Sequence, residues 1–324
     1  GSVLASLPPG RWTYAWPRDA AYAAAGMAHA GMATEAADAL RFVLNARSDR
    51  YREYQELSGL PIEPYAVSLC RHHGFGVEES DTLGGGDFNF EFDGAGLTLW
   101  ALGEYVRATG DWGLIEDEWE RIREPVAGFL EALIDPSTGL IARDSSIWEH
   151  HWLGKERAWA YTSITAAAGL CEAAAFADFL GEPDSAQRFA TAGQRIRDGI
   201  LRHLQAPDRV LAATAEELPV GGYFDGAVLE ALGMGLLDPA GAVGPATLDA
   251  VVAELQTADG PGLSRNDDAW DAHDLSPWGS GYDSDEWVMI DLRAAVAARL
   301  AGREELSDAL IDWVTAQSLA NYGA

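Results

Sequence analysis

Paired helical segments recur along most of this 324-residue chain. In each pair the first segment is rich in Ala, Gly and aromatic residues, as in YTSITAAAGLCEAAAF. The second segment is more charged, as in SAQRFATAGQRIRDGILRHL. A helix that is apolar on all sides is buried, whereas an amphipathic helix lies at the periphery. Each pair therefore predicts one inner and one outer helix, joined by a short turn of Gly, Asp or Pro.

The helical periodicity predicts an all-α protein. The expected helices span residues 18–31, 34–46, 94–109, 113–133, 158–180, 184–204, 223–235, 245–256, 284–300 and 303–320. Stacked inner–outer pairs of this kind close into an α/α toroid, and about five pairs are visible here. The long connections 47–92, 134–157, 205–222 and 257–283 are expected to form the site, since loops of such length are usually functional. We expect one domain over residues 1–324.

The net charge of −29 limits the class of partner. It repels nucleic acid and anionic membrane surfaces, and it suits a neutral small molecule. The sequence has no apolar run long enough to cross a membrane, so we expect no membrane association. The first residues show neither a basic segment nor a long apolar core, and we therefore expect a cytoplasmic location.

Aromatic residues cluster near the N-terminus in RWTYAWPRD. Trp12, Tyr14 and Trp16 alternate, so an extended chain places their rings on one side. Arg18 and Asp19 follow at the start of a predicted helix, where unpaired N–H groups stabilise a carboxylate. Such rings can stack on the apolar face of a sugar, while the charged pair holds its hydroxyls. The alternative is an aromatic core strand followed by a capped helix.

The segment YAWPRD resembles the Y-x-W-x-R-D signature of glycoside hydrolase family 15, the glucoamylase-like enzymes. The resemblance implies that Arg18 and Asp19 grip the hydroxyls of a terminal glucose. It also implies an (α/α)6 toroid, in which the sixth helix pair is split between the two ends of the domain. Because that pair is not visible, we expect the catalytic domain to be truncated at both ends of this chain.

A second motif, SSIWEHH, holds the candidate general acid. Trp148 precedes Glu149, and an apolar wall raises the pKa of a carboxylic acid, as a general acid requires. The motif resembles the family's W-E pair, which implies that Glu149 protonates the glycosidic oxygen. Familiar members carry a second carboxylate where this chain has His150, so the resemblance implies a different preference for the leaving sugar. The alternative is a loop glutamate beside an unrelated tryptophan.

A third motif, GLSRNDDAW, resembles the family's G-x-R-x-x-x-D-x-Y loop. The resemblance implies that Arg265 holds a glucose hydroxyl, and that Pro277 and Trp278 supply the P-W pair that follows the loop. The alternative is a surface arginine paired with Asp267 or Asp268.

Two further expectations concern Asp93 and the histidines. The FDG segment resembles the family's approach to the second inner helix, where Asp93 would cap that helix. Neighbouring histidines at His72–His73 and His150–His151 could suggest a metal site. Adjacent residues rarely ligate one ion well, and no H-E-x-x-H or C-x-x-C spacing occurs, so we expect no metal.

Hydrolysis with inversion needs a second carboxyl group, which activates a water on the far side of the sugar. In the family this base follows the last outer helix, which implies that the general base lies beyond Ala324. Asp283, Asp285 and Glu286 are the alternatives within the chain.

The resemblance as a whole implies an inverting, exo-acting α-glucoside hydrolase that needs no cofactor. Its substrate would be an α-glucan or a gluco-oligosaccharide, from whose non-reducing end it releases glucose. One alternative is a glycoside phosphorylase on the same barrel, in which phosphate replaces the base. The other is a non-catalytic sugar-binding toroid, against which the presence of Glu149 argues.

Overall fold

The computed structural model describes most of the chain and divides it into two compact units. The N-terminal unit holds Gly1–Ala158 and Thr165–Gly199, and the C-terminal unit holds Trp159–Ile164 and Ile200–Ala324. The described residues are 1–6, 10, 12–60, 62–79, 82–83, 87–148, 156–216, 224–258, 260–267 and 285–322.

Helices dominate the described part of both units. The N-terminal unit contains α1 (Pro17–His29), α2 (Ala33–Asn45), α3 (Tyr51–Ser58), α4 (Asp93–Thr109), α5 (Gly113–Ile122) and α6 (Phe129–Ala132). Helices α7 (Ala160–Phe179) and α8 (Pro183–His203) have residues in both units. The C-terminal unit contains α9 (Glu230–Gly233), α10 (Val243–Leu255), α11 (Val288–Leu300) and α12 (Glu304–Tyr322). None of the helices described is long and apolar enough to span a membrane.

The predicted division into inner and outer helices is confirmed in the first two pairs. Helix α1 buries alanines such as Ala20, Ala24 and Ala28 and packs against α4, which is itself buried along most of its length. Helix α2 buries only one face, with Leu40 and Leu44 on it. Inner helices built from small residues can approach each other closely, which is why these positions carry Ala and Gly.

A π-helical segment, Arg123–Gly128, joins α5 to α6. The helix predicted over 113–133 is therefore continuous but irregular. Pro125 lacks the N–H that a regular helical turn requires, and proline in a helix interior breaks the hydrogen-bond ladder. The carbonyl of Pro125 leaves the helical pattern and accepts a hydrogen bond from the N–H of Ala66, at 3.0 Å.

Two expectations about helices are wrong. The helix predicted over 223–235 is a 3-10 turn, Gly226–Leu229, followed by the single turn of α9. The glycines of this segment would weaken a longer helix. The side chain of Asp225 caps the 3-10 turn by accepting a hydrogen bond from the N–H of Ala227. Conversely, α3 lies in the connection that was expected to have no helix. Its sequence YREYQELS is too polar for the periodicity to reveal. Among residues 51–56, whose burial the structure describes, Tyr54 alone is fully buried.

Five short strands complete the described part of the N-terminal unit. Strands β1 (Tyr14–Ala15), β2 (Arg71–His73) and β3 (Glu78–Glu79) form an antiparallel sheet in that order. Strands β4 (Thr82–Leu83) and β5 (Asp87–Phe88) form a separate hairpin. The sheet brings the aromatic segment at the start of the chain against residues that follow it by more than fifty positions.

Helices α4 and α7 cross at a pair of glycines. A Cβ at Gly96 would lie 2.5 Å from the backbone carbonyl of Thr165, and a Cβ at Gly169 would lie 2.5 Å from the carbonyl oxygen of Gly96. Backbone cannot yield as a flexible side chain does, so neither position has room for a methyl group.

We therefore expect Gly96→Ala to lower the free energy of unfolding by about 2 kcal/mol, because it forces the two helices apart. Gly26→Ala in α1 is the matched control, since a Cβ there meets nothing within 4 Å. That variant should gain about 0.5–1 kcal/mol from helix propensity. Urea unfolding of both variants tests the prediction, and equal stabilities would contradict it.

Candidate active site

The aromatic segment enters the fold at strand β1, which carries Tyr14, and the rings of Trp12 and Trp16 flank the strand on the same side. The ring centroid of Trp16 lies 6.1 Å from that of Trp12 and 6.0 Å from that of Tyr14. Trp16 is buried, Tyr14 is half-buried and Trp12 is exposed. On the opposite face, Ala15 is buried opposite His72 of β2. The rings therefore lie together on one side, as the alternation predicts.

Arg71 of β2 belongs to the same face. Its guanidinium carbon lies 4.4 Å from the ring centroid of Tyr14 and 5.1 Å from that of Trp16, which is cation–π geometry. Its Nε donates to the carboxylate of Glu79 at 2.5 Å. The sequence gives no signal for Arg71, because only the pairing of β1 with β2 brings it to the rings.

Arg18 lies in the first turn of α1 and is buried in an ion-pair cluster. Its Nη1 donates to Oε2 of Glu91 at 2.6 Å and to Oδ2 of Asp93 at 3.0 Å. Glu91 is held in turn by Asn89, whose Nδ2 donates to Oε1 of Glu91 at 2.6 Å. All four side chains are buried. The guanidinium is therefore fixed in place by carboxylates from a second segment of the chain.

The expected capping role of Asp93 is wrong. Asp93 is the first residue of α4, and the N-cap position is occupied by Phe92, which makes no side-chain capping hydrogen bond. The carboxylate instead pairs with Arg18, since a buried guanidinium is a stronger partner than a backbone N–H. Asp93 Oδ1 is buried and makes no hydrogen bond to any of the residues described.

Asp19 lies beside this cluster in the first turn of α1. Burial raises the pKa of the Asp19 carboxyl above its ordinary value. Arg18 opposes that increase in pKa, and the nearby charge of Asp93 adds to it. A ligand at this position would meet the guanidinium of Arg18 and several carboxyl groups. Neutral hydroxyl groups suit such surroundings, because they can donate to the carboxylates and accept from the guanidinium.

The segment that holds Arg18 also anchors the loop that leads to Glu149. Oδ2 of Asp144 accepts from the N–H of Phe92 at 3.0 Å. The N–H of Ser145 donates to the carbonyl of Phe90 at 2.7 Å. Asp144 and Arg157 exchange two backbone hydrogen bonds, which close the base of the loop. Two of the three predicted motifs are therefore connected through residues 89–93.

The described chain before Glu149 ends in a buried stretch, residues 146–148, with a strained backbone at Ser146. Ser146 has a φ of 54°, which a residue with a side chain rarely adopts. Its hydroxyl is buried without a hydrogen-bond partner in the described part of the chain. Trp148 is buried as well. Glu149 and His150 lie outside the described residues.

The third motif belongs to the C-terminal unit, where Arg265 is buried. Its carbonyl accepts from the N–H of Gly226 at 2.9 Å, and Asn266 pairs with Asp225. The guanidinium carbon lies 5.1 Å from the ring centroid of Trp287. The alternative of a surface arginine is therefore wrong. Sequence analysis missed Trp287, because a contact between separate loops leaves no local pattern.

The expected companions of Arg265 are only partly described. Asp267 accepts from the N–H of Phe224 at 2.9 Å through its Oδ2. Asp268, Pro277 and Trp278 lie outside the described residues.

Glu286 was an alternative general base, but its carboxylate is engaged in packing. Oε1 of Glu286 accepts from Nε1 of Trp313 at 2.8 Å and from Nε2 of Gln317 at 2.6 Å, both on α12. Asp285 is exposed, and Asp283 lies outside the described residues. The hydrogen bonds of Glu286 indicate that it fastens α12 rather than activating water.

Asp291, on α11, is a buried carboxyl group close to Glu286. Its Oδ1 accepts from the N–H of Leu263 at 2.7 Å. Burial raises the pKa of Asp291 to about 7, and the charge of Glu286 adds to that effect while the bond from Leu263 opposes it. Asp291 therefore binds a proton in the folded protein over a pH range in which it is ionised in the unfolded chain.

The family assignment follows from comparison with known proteins. The model of glycosyl hydrolases family 15 matches residues 1–224, which is more than half of the chain. This chain belongs to glycosyl hydrolases family 15. It is a glycoside hydrolase by that membership. No sequence among the curated proteins matches it.

Solved structures show the fold. A wild-type glycosidase is 20% identical, with a TM-score of 0.75, and the match covers 97% of this chain and 77% of that one. A glucoamylase from Saccharomycopsis fibuligera is 14% identical, with a TM-score of 0.64 and coverages of 91% and 65%. A bacterial glucoamylase complexed with acarbose is 15% identical, with a TM-score of 0.60 and coverages of 90% and 41%. The predicted all-α (α/α)6 class is confirmed.

The raised pKa of Asp291 predicts a specific pH dependence of stability. The folded state holds this proton up to about pH 7, whereas the unfolded state releases it near pH 4, so stability falls as the pH rises through that interval. Asp291→Asn keeps an oxygen for the N–H of Leu263 and cannot ionise. We expect this variant to lose part of the decline in stability and to be more stable than the wild type at pH 8.

Asp285→Asn is the matched control, since this neighbouring carboxylate is exposed. Urea unfolding between pH 4 and pH 8 measures the effect. A decline in stability that is the same in Asp291→Asn as in the wild type would show that Asp291 titrates normally.

Proposed function

We propose that this family 15 enzyme is an inverting, exo-acting α-glucoside hydrolase. It releases glucose from the non-reducing end of α-glucans or gluco-oligosaccharides. The observation that carries the proposal is the junction at residues 89–93, which joins Arg18 to the base of the Glu149 loop. A sugar held by Arg18 and Asp19 would then have its scissile bond near that loop.

The proposed roles follow the chemistry of each group. Glu149 is the general acid that protonates the glycosidic oxygen, and the buried Trp148 before it supplies the apolar wall that favours a protonated carboxyl. A second carboxyl group activates the water that attacks the opposite face of the sugar. His150 contacts the leaving sugar, and its replacement of a carboxylate alters the preference for that sugar.

The aromatic and charged residues of the first motif bind the reacting sugar in this proposal. Trp12, Tyr14 and Trp16 stack on its apolar C–H face, while Arg18 and Asp19 hold its hydroxyls. Arg265 keeps the glucose-binding role that the family motif implies. Support for a glucose-type ligand comes from two similar structures, a glycosidase variant in complex with glucose and the bacterial glucoamylase complexed with acarbose.

The first test replaces the acid. Glu149→Gln keeps the shape of the side chain but cannot donate the proton, so kcat on maltose and isomaltose should fall by about 10²–10⁴-fold. Binding of acarbose should remain close to that of the wild type. Glu63→Gln, at an exposed glutamate of the same unit, should leave both quantities unchanged.

Proton NMR of the product anomer tests inversion in the same experiment. Initial release of the β-anomer from an α-glucoside supports the proposal. Release of the α-anomer, or turnover by Glu149→Gln at the wild-type rate, would contradict it. Activity that requires added phosphate would instead identify a phosphorylase.

The second test concerns Arg18. Arg18→Lys keeps the charge but offers one ammonium group in place of a planar fork, so it cannot serve the two carboxylates and a sugar hydroxyl together. We expect acarbose affinity and kcat/KM to fall by about 10–100-fold, which corresponds to one charged hydrogen bond.

Arg107→Lys is the control for Arg18→Lys, because Arg107 also bonds to two carboxylates, Glu104 and Glu172, in a half-exposed part of the same unit. It should leave acarbose affinity and kcat/KM unchanged. Melting temperatures separate a loss of affinity from a loss of folding. Wild-type acarbose affinity in folded Arg18→Lys would remove Arg18 from the sugar site.

A further inference from the structure

Glu78 is a buried carboxylate that the proposed mechanism does not use. It lies on β3 and pairs with His72 of β2, which in turn pairs with Ala15 of β1. Paired residues share one face of a sheet, and all three of these residues are buried. The opposite face carries Tyr14, because successive residues of a strand alternate between the two faces. Glu78 therefore lies behind the sheet and could influence the site only through other residues.

Neutral donors hold the carboxylate of Glu78. The hydroxyl of Tyr65 lies 3.1 Å from each of its two oxygens. The N–H of Leu69 donates to Oε1 at 3.2 Å, and the backbone N–H of Arg50 donates to Oε2 at 3.3 Å. Burial raises the pKa of the Glu78 carboxyl, and the hydrogen bonds to its oxygens oppose that increase. Both oxygens accept hydrogen bonds, which a carboxylate allows and an amide, with one acceptor oxygen, does not.

The bond from Leu69 connects Glu78 with the ion pair of Arg18. The carbonyl of Leu69 accepts from the N–H of Glu91 at 2.6 Å. The carboxylate of Glu91 accepts in turn from Nη1 of Arg18 at 2.6 Å. All four residues are buried. A displacement of Leu69 would therefore move the backbone of Glu91, and with it the carboxylate that fixes the guanidinium.

We propose that Glu78 is a positioning residue for the sugar site. Its carboxylate fixes Leu69, Leu69 fixes the backbone of Glu91, and Glu91 holds Arg18 in the orientation that sugar binding requires. Such support is effective because a binding group must be held within about 0.5 Å of its productive position. The proposal rests on the proposed function, since Arg18 binds a sugar only in that function.

The first measurement is acarbose binding by isothermal titration calorimetry. Glu78→Gln keeps the shape of the side chain but offers one acceptor oxygen in place of two, so it loosens Leu69. We expect acarbose affinity to fall about tenfold, which corresponds to one hydrogen bond. Glu78→Asp keeps both acceptor oxygens on a shorter side chain and should lose less affinity. If Glu78→Gln does not fold, Glu78→Asp replaces it in every comparison, with a smaller loss expected.

Tyr65→Phe is the matched control. It removes a donor to the same carboxylate and leaves the bond from Leu69 in place. The melting temperature should fall, because the buried carboxylate has one donor fewer. Acarbose affinity should change by less than about twofold. A loss of stability without a loss of affinity separates positioning from general destabilisation.

A double-mutant cycle with Glu91→Gln tests whether Glu78 acts through Glu91. Once Glu91→Gln has weakened the hold on Arg18, Glu78→Gln should reduce acarbose affinity by less than about a further twofold, so the two losses are not additive. Amide hydrogen exchange, measured by mass spectrometry, follows the same link without a sugar. The amides of Leu69 and Glu91 should exchange faster in Glu78→Gln than in Tyr65→Phe.

The outcomes separate this proposal from the proposed function. Wild-type acarbose affinity in folded Glu78→Gln would overturn the positioning role, as would equal losses of affinity in Glu78→Gln and Tyr65→Phe. Additive losses in the double-mutant cycle would overturn the path through Glu91. A wild-type protein that binds no acarbose and hydrolyses no α-glucoside would overturn the proposed function. Faster exchange of the Glu91 amide in Glu78→Gln would then still support the link from Glu78 to the ion pair of Arg18.

Discussion

The buried ion pair of Arg18 with Glu91 and Asp93 is the interaction on which the N-terminal unit's site depends. A buried guanidinium is stable only where carboxylates and hydrogen bonds replace its water. Here both carboxylates come from the chain just before and at the start of α4, so the pair fastens the first turns of two inner helices together. The same stretch binds Asp144 and Ser145. A single hydrogen-bonded assembly therefore joins the predicted sugar-gripping residues to the loop of the predicted acid.

The fold was predictable where its signal is local. Periodicity and composition within one helix are enough to separate the Ala-rich α1 from the one-faced α2, and both begin and end within two residues of expectation. The strands were not predictable in this way, because each has two or three residues and exists only through its partner. Helix α3 was missed for a related reason, since its polar sequence hides one buried tyrosine.

For the candidate site, too, residues with a local sequence signal were predictable and residues brought in by tertiary contacts were not. Arg18, Asp19 and Arg265 could be singled out because short motifs carry them, and all three are at least half-buried in the structure. Their partners could not, since Glu91, Arg71 and Trp287 reach them only through tertiary contacts. Asp93 shows the limit most clearly. Local rules assign an aspartate at a helix start to capping. Here the carboxylate of Asp93 instead accepts a hydrogen bond from the guanidinium of Arg18, which is distant in sequence.

The strain at Ser146 is explained by this assembly. A positive φ at a residue with a side chain costs of the order of 1 kcal/mol, and it persists only where the surroundings leave no alternative. On one side Asp144 and Ser145 are fixed to Phe90 and Phe92, and on the other side Trp148 is buried. Two residues, Ser146 and Ile147, must therefore turn the chain from one fixed point to the other, and the backbone of Ser146 takes up the difference. Because the chain at residues 144–148 is held at both points, that stretch has less conformational freedom to lose when a substrate binds, which would favour the proposed general acid that follows it.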